Sequence, residues 1–103
     1  MAFVLPPPDE SKQKWTQDEA INFESARETI TALMAIHTGQ AYEESKKPTP
    51  DTERLAALEI ELFRLAKERS SLRVADHANV TRIRTEYGAT VRSWREKRRV
   101  AAE

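Results

Sequence analysis

A chain of 103 residues with 17 acidic and 17 basic side chains, 39% hydrophobic residues and two glycines has room for one small domain and a modest core. Its wealth of Ala, Glu, Lys, Leu and Arg, with no Asn-Gly or Asp-Gly hairpin dipeptide, points away from sheets and predicts an all-α fold. The absence of cysteine excludes disulfides and thiolate chemistry, and formal neutrality argues against a dedicated nucleic-acid binder, whose field is normally basic.

Residues 1–15 read as an extended arm, because Pro6-Pro7-Pro8 favours polyproline II. The same prolines, with Asp9 and Glu10, end the apolar run Met1–Leu5 far short of a secretory h-region, and no basic segment precedes it. A cytoplasmic location is expected, with no membrane contact.

The remainder, residues 16–103, is expected to form a single helical domain. Its first helix should run from about residue 16 to 45. Thr16 is suited to N-cap it, with Glu19 three positions on to complete a capping box. Phe23, Ala26, Ile30, Leu33, Met34, His37 and Ala41 then share one face at three- and four-residue spacing. Lys46, Lys47 and Pro48 mark its end. Residues 46–50 form the turn, and Thr49 followed by Pro50 signals a new start, with Thr49 as N-cap and Pro50 at the first helical position. A link this short makes the two helices antiparallel neighbours.

The second helix carries Leu55, Leu58, Leu62, Leu65, Arg69 and Leu72 on a heptad-like seam, continued by Asp76, Val80, Ile83, Tyr87, Val91 and Trp94. No proline follows Pro50 and Gly88 is the one later glycine, so a single long helix over about residues 50–97 is the simplest expectation. The chain is then an antiparallel helical hairpin with a coiled-coil-like second arm. The alternative is a break near residues 76–79, where Asp76 and Asn79 are candidate caps, giving a three-helix bundle.

Two features suggest partners. In a chain one-third charged, Thr29 to Tyr42 holds no Asp, Glu, Lys or Arg, and Ile36 lies nearly opposite the apolar seam. A helix with no polar face is covered on more than one side. Ile60 and Phe63 show the same excess on the second helix. The surplus calls for a further layer: the chain's own third helix, a second copy, or a different protein. The second feature is an arginine stripe. Arg84, Gly88, Arg92, Arg95 and Arg99 step by four, four, three and four, near Tyr87 and Trp94. Residues 1–68 carry a net charge of −5 (thirteen acids, eight bases) and residues 69–103 a net charge of +5 (four acids, nine bases). Guanidinium forks suit carboxylates and phosphates, and aromatic-plus-arginine clusters are typical of interface hot spots.

No catalytic or metal-ligating constellation is legible. His37 and His77 are isolated, no zinc-type spacing occurs, and no glycine-rich phosphate loop is present. No cofactor is expected, and the reading is non-enzymatic. In size and texture the chain is similar to the small immunity proteins that neutralise bacterial toxins by covering the active site, which makes such an inhibitor the leading expectation. The alternatives are a homo-oligomeric structural or assembly component, as in phages or secretion systems, and a helical nucleic-acid binder using residues 82–99. The expected partner-binding residues are Ile36, Ile60, Phe63, Arg84, Tyr87, Arg92, Trp94, Arg95 and Arg99.

Overall fold

The computed structural model describes residues 15–102. The expected N-terminal arm, residues 1–15, lies outside them except for Trp15. Helix α1 spans Gln17–Ser45 and α2 spans Thr52–Ser71. A third helical run then begins with α3 (His77–Arg82), passes through a π-helical segment (Ile83–Tyr87) and continues as α4 (Gly88–Ala102). Among the described residues there is no strand.

The start of α1 is locked by a reciprocal cap. Thr16 Oγ1 accepts from the Glu19 amide at 3.1 Å, while Glu19 Oε1 accepts from the Thr16 amide at 3.0 Å. The turn after α1 is held by Glu44, only 4% exposed. Its carboxylate accepts from the Asp51 amide at 3.1 Å and from Lys47 Nζ at 2.9 Å, and pairs with Arg54 at 3.4 Å. Helix α2 starts later than its Thr49-Pro50 signal suggests. Asp51 is the N-cap, its side chain accepting from the Arg54 amide at 3.1 Å. The Glu44 grip on the Asp51 backbone explains the choice, since it places that carboxylate over the first free amides of the helix.

The expected single long helix over residues 50–97 does not form; the three-helix alternative does. Helix α2 ends at Leu72, whose backbone is extended (φ −66°, ψ 137°), and Asp76 caps the next helix by accepting from the Asn79 amide at 3.3 Å. Neither glycine nor proline makes this break. Ser71 Oγ donates back to the Lys67 carbonyl at 2.8 Å, which weakens the last turn, and Asp76 offers a ready cap. The larger driving force is burial. By turning back, the chain sinks Val80, Ile83 and Val91 to 4%, 0% and 5% exposure. Each such side chain contributes roughly 1.5–3 kcal/mol when fully buried.

The helices run up, down and up. Arg69 Nη1 donates to Thr31 Oγ1 at 2.9 Å while Asp51 meets Glu44, so α1 and α2 are antiparallel. His77 meets Glu19 and Arg98 reaches Glu43, so the third run is parallel to α1. Helix α1 is the central member, since its backbone closely approaches both others while those two do not approach each other. This accounts for Ile30, Leu33 and Ile36 of the uncharged stretch, while Thr31, Ala35, Thr38, Gly39 and Tyr42 of the same stretch stay exposed. Ala26, Ile30, Leu33 and Ile36 of α1 enter one core with Leu65, Val80, Ile83 and Val91.

The π segment solves a phase problem. From Ile83 through Tyr87 to Val91 the seam advances by eight residues. In an α-helix that overshoots two full turns by about 80° and would rotate Val91 off the core. The wider turn, closed by the Gly88 amide donating to the Ile83 carbonyl, removes most of that drift. Ile83 and Val91 both stay buried.

Candidate functional site

The structure sorts the expected partner-binding residues into three groups. Ile36 belongs to none of the surfaces. It is 8% exposed and part of the core, because the third run covers the far side of α1. Its assignment to an interface is therefore corrected: the second layer it called for is supplied by the chain itself.

Ile60 and Phe63 form the first surface. They are 70% and 76% exposed on the outer face of α2, where they line a shallow apolar depression with Ala56 and Glu59. Ala56, Ile60 and Phe63 stand at i, i+4 and i+7, one stripe on one helix. The face of α2 that packs inward is a different one, marked by buried Leu58 and Leu65. Nothing in the described fold covers the outer stripe.

The arginine stripe divides. Arg84, Arg92 and Arg95, with Gly88, line a cleft between α1 and the third run. Its other walls are Ser25, Thr29 and Ala32 of α1, with Thr81, Thr85 and Val91 of the third run, and Glu28 stands at one end. Arg84 Nη1 donates to Asn22 Oδ1 at 2.9 Å, which steadies it against α1. Neither Arg92 nor Arg95 pairs with a carboxylate among the described residues. Arg99 does not join them; it pairs with Glu96, one turn back on its own helix, at 2.5 Å. The seven-residue step from Arg92 to Arg99 had suggested one continuous face, but that ion pair turns the Arg99 head to its own helix.

Tyr87 and Trp94 serve the fold. The Tyr87 hydroxyl donates to Glu68 Oε1 at 2.6 Å and accepts from Arg64 Nη1 at 3.2 Å, while Arg82 Nη2 donates to Glu68 Oε2 at 2.8 Å. This cluster ties α2 to the third run through side chains where their backbones stay apart. The neighbouring Tyr87 side chain, and then the Glu68 carboxylate that accepts from Arg82, favour the charged form of Arg82. Trp94 is half-buried against the core, with the Arg98 guanidinium 4.9 Å above its ring centroid.

Sequence reasoning missed several participants. Glu44 gave no signal, because an acid in a charge-rich helix end reads as solvated surface. The cleft hydroxyls were more legible: Thr81, Thr85 and Gly88 recur with Arg84 and Arg92 at helical spacing, and Ser25, Thr29 and Ala32 do so on α1. Without knowing that these two stripes face each other, no spacing rule could join them.

Among the described residues, no group of three His, Cys, Asp or Glu side chains could hold a metal ion, and no helix is long and apolar enough to cross a membrane. Comparisons with protein-family models, with curated proteins and with solved structures found no match to this chain.

Proposed function

We propose that this chain is a non-catalytic protein-binding module that docks through the outer face of α2. The observation that carries the reading is the pair Phe63 and Ile60, 76% and 70% exposed side by side on one stripe. Isolated apolar residues on a surface need no explanation, but a contiguous stripe beside a closed core marks an interaction site. Aromatic and aliphatic anchors at i, i+4 and i+7 are the pattern by which one helix fills a groove on another protein. The partner is therefore a protein with an apolar concavity, rimmed by charges that complement Glu59 and Lys67.

In its specific form the module is an inhibitor of the immunity-protein kind. A single projecting helix face inserted into a toxin's substrate groove would block it as an immunity protein does. It is supported by the self-sufficient bundle, which leaves the stripe free for a partner. A cytoplasmic site of action goes with it.

The test is a substitution that alters the stripe and spares the fold. Ile60→Glu with Phe63→Glu should leave the thermal midpoint within the range set by about 0.5 kcal/mol, because neither side chain is packed. It should abolish capture of the partner from an extract of the source cells. Equal capture by wild type and variant would refute the proposal. A wild-type dimer that the variant dissolves would move the reading to a self-assembling component.

A further inference from the structure

The cleft between α1 and the third run shares no residue with the α2 stripe, so it asks for its own account. Two adjoining hollows of about 260 and 480 Å3 meet along Ser25, Thr29, Gly88 and Arg92. The larger falls within the size range of small-ligand sites, and it is open to solvent along the exposed side chains of Thr81, Arg84, Thr85 and Arg92. The larger hollow is lined by four hydroxyl side chains (Ser25, Thr29, Thr81, Thr85), the guanidinium groups of Arg84 and Arg92, and no carboxylate. The smaller adds Arg95 at its edge, together with Glu28.

Gly88 is buried where the two hollows meet. A Cβ there would lie 3.1 Å from Arg92 Nη1, a tight contact that the flexible arginine head would relieve by a shift of a few tenths of an ångström. The backbone at Gly88 is ordinary helix (φ −59°, ψ −42°), so conformation does not demand glycine. Arg92 stands exposed beside the buried Gly88 without a carboxylate partner among the described residues, while Arg84 is braced by Asn22.

We propose that this cleft is a binding site for a phosphate monoester on a small molecule. The phosphate sits in the larger hollow, where two guanidinium forks and the hydroxyls of Ser25, Thr81 and Thr85 donate to its oxygens, the Thr29 hydroxyl being taken by the Ser25 carbonyl at 2.8 Å. The Glu28 end repels the anion and accepts a hydrogen bond from a hydroxyl or amino group on the rest of the ligand. The division of charge orients the ligand: phosphate toward Arg84 and Thr85, hydroxyl-bearing body toward Glu28 and Arg95. A free inorganic phosphate meets only the first half, and a sugar phosphate meets both.

Isothermal titration with inorganic phosphate and with ribose 5-phosphate tests this on the full chain. Saturable one-to-one binding is expected for both, tighter for ribose 5-phosphate. Arg92→Gln and Arg84→Gln should each weaken it by about tenfold or more, as loss of a charge-assisted contact does. Arg73→Gln, an exposed arginine outside the cleft, should leave it unchanged. Gly88→Ala keeps every charge and shifts the Arg92 head by only a few tenths of an ångström, so it should weaken binding less than Arg92→Gln while the far-UV circular dichroism stays helical. Glu28→Gln should remove the advantage of ribose 5-phosphate over inorganic phosphate. Absence of saturable binding by folded wild-type protein would overturn the proposal. So would equal weakening by Arg73→Gln, or preference for single-stranded DNA with a salt dependence steep enough to require many phosphate contacts.

Discussion

Ile36, Ile60 and Phe63 share one sequence signal, an apolar side chain off its helix's main seam, and meet different fates. Ile36 is sealed at 8% exposure, whereas Ile60 and Phe63 remain at 70% and 76%. The difference lies in the helix that carries them. Helix α1 has neighbours on two sides and α2 has a close backbone neighbour on one. Stability measurements should separate them cleanly. Ile36→Ala and Ile83→Ala remove packed methyl groups and should each cost about 2–5 kcal/mol in urea unfolding. Phe63→Ala should cost no more than about 0.5 kcal/mol despite the larger side chain. A large loss at Phe63 would mean that the stripe is covered within the monomer.

At the scale of elements, the joints between helices are held by carboxylates. Donation from the Asp51 backbone amide, then from the Lys47 ammonium, holds Glu44 below the ordinary 4.5, against the opposing pull of burial. Glu19 is lowered too, chiefly by the Thr16 amide and then by His77. A folded-state value below the unfolded one contributes stability that is present above about pH 4.5 and is lost as pH falls through the lowered value. The thermal midpoint should therefore drop as pH is taken from about 5 to 3. Glu44→Gln should lower the midpoint at neutral pH and flatten that acid limb; an unchanged limb would discard Glu44 as its source. The joint at residues 72–76 rests on Asp76, and Asp76→Ala should cost about 0.5–2 kcal/mol, the usual loss of an N-cap.

For the whole molecule, the decisive fact is that α1 is the shared wall. Its backbone meets both α2 and the third run, and its buried side chains cannot be satisfied by either alone. Hydrogen exchange should find the slowest amides between Ala26 and Ile36, opening only with global unfolding. Amides of α4 beyond Val91, where buried residues cease, should exchange faster. Uniform protection along all three helices would contradict the central role of α1. The same layout separates the two candidate surfaces, since the stripe belongs to α2 and the cleft to α1 with the third run. A partner protein and a small phosphorylated ligand could be held together.

Local chemistry determined what needs only neighbouring residues: helical class, the capping box at Thr16 and Glu19, the turn after Ser45, and the identity of Asp76 as a cap in waiting. Each depends on contacts three or four positions apart, which spacing displays directly. The choice between one long helix and a returning third run was a competition between a continuous backbone and burial of Val80, Ile83 and Val91. Only tertiary structure could decide it, because the surface that rewards the turn lies on α1, some fifty residues earlier in the chain. The cleft was hidden for the same reason: its two walls are ordinary helix faces until folding sets them opposite each other.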